Sequence, residues 1–234
     1  MKEIRQIVIA PDSFKGTMEA SQVCQIIQGS ARQYFPDAAV RCIPMADGGE
    51  GMVDAYLKLL GGRKVLLSVQ GLQGRPVACY YGILPDGTAV MEMAACAGLP
   101  LLDGALDPMH TTTYGVGEML LHAERNGVRR VLLGIGGSAT VDCGLGMAAA
   151  LGYRFLNKDG AAVEAVTCHM AEIAAIVPPA RKPALDIIAA CDVDNPLCGE
   201  TGAIYTFGKQ KGISEDMMPA MDARMKHFAQ VLTR

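Results

Sequence analysis

The sequence has no tryptophan, and aromatic residues make up only 5% of its 234 positions. Stacking platforms for bases are therefore scarce. With 21 basic against 24 acidic residues there is no basic stripe either, so the electrostatic footprint of a nucleic-acid binder is missing. No apolar run approaches the roughly 18 residues a membrane span needs, and Met1 to Ala10 is too short and too strand-like for a signal peptide. A soluble cytoplasmic protein is expected. The eight cysteines form no C-x-x-C pair and share no zinc spacing with the four histidines, so they read as small buried hydrophobes in a reducing compartment. A Walker loop, G-x-x-x-x-G-K-[ST], occurs nowhere.

What is present is apolar residue, at 50%, and glycine, at 27 positions. That is enough to bury a core and to divide it between two modest domains. The run "IRQIVIA" (4–10) is β-branched and ends at Pro11; from Val23 the apolar positions Ile26, Ile27, Ala31 and Tyr34 then keep helical spacing. The order repeats, with a strand at 40–43, the loop "PMADGGEG" and a helix at 52–60 stopped by Gly61-Gly62. Such a βαβ beginning predicts a parallel sheet with covering helices.

From Arg63 the pattern changes to three strands, 63–69, 77–84 and 88–93, joined by the turns "GLQG" and "PDG". A second domain is expected to begin near residue 65. Helical spacing returns at Val116, Met119, Leu120 and Ala123, before a strand at 131–135. The stretch "RFLNKDGAAV" reads as a hairpin, and "LDIIAACDV" (185–193) reads as a buried strand. From Ser214, a candidate N-cap, apolar residues at 218, 221, 225, 228 and 232 predict an amphipathic helix to the chain end; Met217, Met218, Met221 and Met225 read as core.

In parallel sheets ligands bind beyond the carboxyl ends of strands, and four loops there carry glycine with a carboxylate or a cation. In "PDSFKG", Asp12, Ser13, Lys15 and Gly16 lie between a strand and a helix, where an anion or a plain capped turn is equally served. In "DGGEG", Asp47 and Glu50 stand among Gly48, Gly49 and Gly51; hard oxygens of this kind suit Mg²⁺ held with phosphates, and a glycine turn capped by Asp47 is the alternative. In "IGGSATVDCGLGM" (135–147), Gly136, Gly137 and Ser138 form a candidate nest of N–H groups beside the Ser138 and Thr140 hydroxyls, with Asp142 facing a metal or nucleotide. The same residues match G-x-G-x-x-A, but the nearest candidate for the ribose-binding acid, Asp159, sits in a hairpin turn. In "CDVDNPLCG", Asp192, Asp194 and Asn195 leave the end of an apolar strand, a usual place for catalytic or metal-binding carboxylates. The histidines at 110, 122, 169 and 227 suggest surface or supporting roles.

Taken in order, "VIAPDSFKGT", "IPMADGGEGMVDA", "MEMAACAGLPL", "TTTYGVGEML", "GIGGSATVDCGLGM" with "LGYRFLNKDG", and "ACDVDNPLCGETGA" followed by "FGKQKG" resemble the class I glycerate kinases, the glycerate 2-kinase family. The resemblance runs from residue 5 to about 230. It implies an α/β enzyme of two domains: a Rossmann- or flavodoxin-like parallel-sheet domain, and a mixed α/β domain inserted into it. Residues 1–65 would be the N-terminal part of the first domain and 66–234 the insertion. The family continues past residue 234 into a segment with a G-E-G-R-[LI]-D motif, absent here, so the chain is expected to lack the C-terminal part and to hold about two strands of the first domain's sheet.

The implied reaction moves the γ-phosphoryl of ATP to D-glycerate with Mg²⁺, giving 2-phosphoglycerate (often named 3-phosphoglycerate in related proteins), in organic-acid and glyoxylate breakdown. Phosphoryl transfer asks mostly for positioning and charge neutralisation. The triphosphate is expected at Gly136, Gly137, Ser138 and Thr140, with Mg²⁺ at Asp142, Asp194 or Asp192. Glycerate is expected between Asp12, Ser13 and Lys15 on one side and Gly48, Gly49 and Glu50 on the other. Lys15, Asp47 and Asp192 carry the catalytic roles, with Asp192 as base because burial of its strand would raise its pKa. An inactive ligand-binding protein and a Mg²⁺-dependent phosphohydrolase are the alternatives. The oligomeric state, a homodimer among the options, is open.

Overall fold

The computed structural model describes residues 4–14, 17–46, 48–102 and 106–233. Lys15, Gly16 and Asp47 of the candidate set lie outside them. The architecture is α/β with one parallel pair and one mixed sheet. Strand β1 (Gln6–Ile9) leads to helix α1 (Ala20–Tyr34) and back to β2 (Ala39–Cys42), which pairs parallel with β1. Helix α2 (Met52–Leu60) follows and ends on Gly61 and Gly62, both in the left-handed region that favours glycine.

Five strands make the main sheet: β3 (Arg63–Gln70), β4 (Pro76–Ile83), β5 (Ala89–Glu92), β6 (Arg130–Gly134) and β10 (Asp186–Ala190), in the order β10-β6-β5-β4-β3. The meander β3-β4-β5 is antiparallel because its connections are tight turns. The crossovers into β6 and β10 are long and run parallel. The short helix α3 (Ala94–Ala97) leaves the end of β5. Helix α4 (Tyr114–Arg125) fills the β5-to-β6 crossover and buries Val116, Met119, Leu120 and Ala123 against Val69, Met91, Val131 and Leu133. Each such side chain contributes about 1.5–3 kcal/mol of burial. Its glycines allow close approach: a Cβ on Gly115 would meet Gln70 O at 2.1 Å, and one on Gly117 would meet Met147 O at 2.5 Å in α5 (Leu145–Ala150). Helix α2 covers the sheet elsewhere, packing Met52 and Val53 on Leu84 and Val90.

A second core gathers residues from Val141 to Val231. Strands β7 (Arg154–Leu156), β8 (Ala162–Val163) and β9 (Ala175–Val177) form a small antiparallel sheet, with Gly160 at +79° in the expected turn. Strand β9 and the 3-10 turn before it were not foreseen. Helix α6 (Ala203–Phe207) and helix α7 (Met218–Leu232) close this core with Ile204, Met218, Met221, Met225 and Phe228.

Four expectations are corrected. Helix α7 is not capped by Ser214; it starts four residues later, where Pro219 sets the first turn, and Val231 rather than Leu232 completes its buried face. On α1, Val23 of the apolar pattern is buried together with Cys24, while Ile26, Ile27 and Tyr34 of that pattern are exposed. Of the cysteines, only Cys24, Cys79 and Cys96 are buried, and Cys191 is exposed; all eight are free thiols. The apolar run ending in β10 does not mark a buried strand: among the described residues β10 is the sheet's edge, paired only with β6, and Ile187 and Ile188 stand exposed. Among the described residues, no helix is long and apolar enough to cross a membrane.

Candidate active site

The carboxyl ends of β5, β6 and β10 lie side by side, and the glycine loops meet there. Gly136 N–H donates to Gly48 O at 3.1 Å, and Ile135 N–H donates to Ala190 O at 3.3 Å. Glycine is required at this junction. A Cβ on Gly134 would meet Gly48 O at 2.2 Å, one on Gly136 would meet Gly49 N at 2.9 Å, and one on Gly48 (φ +83°) would meet Ala190 O at 2.9 Å. The "DGGEG" and "IGGS" loops are thus locked to each other and to the end of β10. The "PDS" loop joins them at one remove, since Met45 N–H donates to Pro11 O at 2.9 Å. Asp12 is exposed and its Oδ1 accepts from Ser13 N–H at 2.7 Å; Ser13 is half-buried.

Glu92, at the carboxyl end of β5, is 5% exposed and accepts from Val53 N–H at 2.7 Å. It therefore satisfies a free donor at the start of α2 and fixes where the Gly48–Gly51 loop hands over to that helix. Burial pushes its carboxyl above the ordinary value, partly offset by the Val53 and Gly51 N–H groups. Sequence reasoning missed Glu92; the available signal was a lone acid inside the apolar run "AVMEMAA". Glu50 is exposed, while Gly48 and Gly49 are buried.

The loop after β6 is pinned on both sides. Leu99 N–H donates to Gly137 O at 3.1 Å, and Ala139 N–H donates to Ala97 O at 2.8 Å. With the Gly136 N–H given to Gly48, the expected nest reduces to Gly137 (φ +69°, exposed) and Ser138. Thr140 is buried at 6%.

Asp142 is 1% exposed and accepts four hydrogen bonds. Its Oδ2 takes Thr113 N–H and Thr113 Oγ1–H, both at 2.8 Å, and Gly146 N–H at 3.1 Å; its Oδ1 takes Gly144 N–H at 3.2 Å. Thr113 Oγ1 in turn accepts from Met147 N–H at 2.9 Å. This carboxylate ties the first turn of α4 to the first turn of α5. Gly146 makes that possible, because a Cβ there would meet Thr112 Oγ1 at 2.0 Å. Burial pushes the Asp142 carboxyl up, and its donors pull it down. Its oxygens are engaged by protein donors, a poor fit to a Mg²⁺ ligand.

Asp192 and Asp194, beyond β10, are both exposed. The burial argument for Asp192 as base fails because its strand is an edge. What remains is its place, two residues past the Ala190 carbonyl that touches both glycine loops. Asn195 Nδ2 donates to Thr201 O at 3.1 Å and to Thr206 Oγ1 at 3.3 Å, holding the following turn. Among the described residues, no group of three His, Cys, Asp or Glu could by itself hold a metal ion.

A cavity of about 290 Å³ opens beside this loop, lined by Ser138, Thr140, Cys143, Leu197, Phe207 and Lys211, among others. Lys211 of "FGKQKG" enters it and donates from Nζ to Ser138 Oγ and to Thr140 O, both at 2.9 Å. Burial pulls its pKa down to about 8, with Asp142 and Cys143 acting in the opposite sense.

Glycine loops and carboxylates gathered at the carboxyl ends of parallel strands define an α/β protein whose candidate site lies where such sheets bind ligands. A family model described as the glycerate kinase family matches residues 7–234, and the chain belongs to that family. It is 42% identical over 232 residues to a glycerate kinase of Bacillus cereus, covering 97% of this chain and 61% of that protein. It is 41% identical over 236 residues to glycerate 2-kinase of Escherichia coli K12, covering 98% and 61%. A crystal structure assigned as glycerate kinase 2 of Salmonella typhimurium LT2 superposes with a TM-score of 0.84 at 38% identity, over 99% of this chain and 63% of that one. The chain thus spans about three fifths of the length of these relatives.

Proposed function

We propose that this protein phosphorylates D-glycerate from ATP, giving 2-phosphoglycerate, as a cytoplasmic enzyme acting on small molecules. The observation that carries the reading is the contact of the two glycine loops, Gly136 N–H to Gly48 O, at the carboxyl ends of β6 and β10 in a member of this family. It sets a candidate phosphate loop beside a candidate substrate loop, as in-line transfer requires. Residues 1–65 are read as one share of a Rossmann-like domain and 66–234 as the inserted domain.

In this reading the polyphosphate lies against Gly137, Ser138 and Thr140, and glycerate lies between the Asp12–Lys15 and Asp47–Glu50 loops. Asp192 orients the attacking hydroxyl, on the strength of its position. Asp142 moves from metal ligand to scaffold, because its four donors already fill its coordination. The exposed carboxylates of Asp192 and Asp194 suit a hydrated Mg²⁺ shared with phosphates, and the ion would neutralise phosphate charge.

A coupled assay of ADP release with and without D-glycerate tests the proposal. Glycerate-dependent release is the expected result. Release from ATP alone points to a hydrolase, and nucleotide binding without turnover to a sensor; either would overturn it.

A further inference from the structure

Two lysines stand two residues apart in "FGKQKG" and meet opposite fates. Lys209 is exposed and paired with Glu215 at 2.5 Å. Lys211 turns inward and, among the described residues, hydrogen-bonds uncharged acceptors, the Ser138 hydroxyl and the Thr140 carbonyl. The turn that separates them is built tightly. Ile213 N–H donates to Gly208 O, Ile213 is buried, and Gly212 sits at φ +94° where a Cβ would meet Leu106 Cβ at 2.4 Å. The chain is thus constrained to deliver Lys211 across 73 residues of sequence to the loop after β6.

Taking an ammonium out of water is costly unless charge or strong acceptors compensate. Among the described residues, no carboxylate pairs with Lys211. Asp142 lies in its field, but that carboxylate already accepts from Thr113, Gly144 and Gly146. Ser138 Oγ accepts a hydrogen bond from Lys211 Nζ, so its own hydroxyl hydrogen is left to donate. The cavity, at about 290 Å³, is at the lower limit for a drug-sized ligand and suits a compact charged group better than a whole nucleotide. Ammonium and hydroxyl donors together match phosphate oxygens.

We propose that Lys211 is the cation of a polyphosphate site in this cavity, with Ser138 beside it as hydroxyl donor, taking the terminal phosphates of the nucleotide. The inference rests on the kinase reading for the identity of the nucleotide and on the cavity alone for the anion. Lys211 also fastens the α6–α7 segment to the phosphate loop, so nucleotide binding and the packing of that segment are coupled.

Calorimetric titration of this protein with inorganic tripolyphosphate, and separately with ADP, tests it in four variants. Lys211→Met should weaken tripolyphosphate binding about 10- to 100-fold, as expected for a charge-assisted contact. Ser138→Ala should weaken it several-fold, Lys211→Arg should restore part of the loss, and Lys209→Met should stay within twofold of the parent. Parent-like binding by both Lys211→Met and Ser138→Ala would overturn the site, as would a parent that binds no tripolyphosphate. The two proposals fail separately. Tripolyphosphate binding that depends on Lys211, without glycerate-dependent ADP release, keeps the anion site and sinks the kinase. Turnover by Lys211→Met with an unchanged KM for ATP keeps the kinase and sinks the site.

Discussion

Asp142 and Asp192 follow neighbouring parallel strands, yet they live in opposite surroundings. Asp142 is buried and holds four donors from α4 and α5; Asp192 is exposed beyond an edge strand. The strand before Asp192 is the more apolar to the eye, "LDIIAA" against "RVLLG", but apolarity reports what a strand can bury. The number of paired neighbours decides what it does bury, and among the described residues β6 has two where β10 has one. A carboxylate whose oxygens are filled by backbone N–H groups is part of the scaffold. One left at the rim beside glycine loops is available for chemistry.

The sharpest test of that contrast exchanges activity for stability. Asp192→Asn should lower kcat by 10² or more if Asp192 orients the hydroxyl, while leaving stability within about 0.5 kcal/mol as for an exposed site. Steady-state kinetics with denaturant unfolding separates the two quantities. Retention of more than a tenth of parent kcat would return Asp192 to the surface.

Asp142→Ala should do the reverse. Removing one carboxylate strands the N–H groups of Thr113, Gly144 and Gly146, at a cost of about 3 kcal/mol. For a chain of this size that is a fall of roughly 6–12 °C in melting temperature. A variant that melts like the parent but loses its Mg²⁺ dependence would break the comparison and make Asp142 a ligand after all.

Smaller again is the expected effect of Gly136→Ala. The new Cβ would press on Gly49 N from 2.9 Å, and backbone cannot yield as a side chain can. A loss of about 1–2 kcal/mol is expected, with a rise in KM for glycerate as the "DGGEG" loop is displaced. Unchanged KM would mean that the loop contact holds the fold and not the substrate.

Much of this arrangement was legible in the sequence, for identifiable reasons. Helix α2 and strands β3 to β5 follow from Gly61-Gly62 and from the short turns, which are local signals. The glycines of 134–137 announced a loop at the end of a strand. Their partners were not legible, because contact with Gly48 and Gly49 is set by how α2 and the loop before it pack across the sheet and not by any local pattern. One N–H assigned to a ligand, that of Gly136, is consumed by that contact. Glu92 and Lys211 were missed for a related reason: Glu92 is a lone charge in an apolar run and Lys211 one of two lysines in a glycine-flanked run, and the partners lie 39 residues away in one case and 71 to 73 in the other.

The finest test concerns the cation on the buried side of the comparison. Lys211 faces Asp142 and Cys143; the Cys143 thiol is pushed up to about 12 by burial and by Asp142, so that thiol stays neutral between pH 8 and 10.5. Burial holds Lys211 near 8, against an ordinary value of 10.5. Below pH 8 the lysine is protonated in both folded and unfolded chains, and folding bears the full cost of burying its charge. Between about 8 and 10.5 the unfolded chain binds more protons, so this group makes stability rise with pH. Many other groups titrate there, and the informative quantity is the difference between parent and Lys211→Met. That difference should shift by about 1 kcal/mol across the window once partial exposure is allowed for, with the variant at no disadvantage at pH 7. Unfolding curves at pH 7 and pH 10 measure it. A Lys211→Met variant much less stable than the parent at pH 7 would show that the lysine serves the fold, as Asp142 does, and is not held at a cost for an anion.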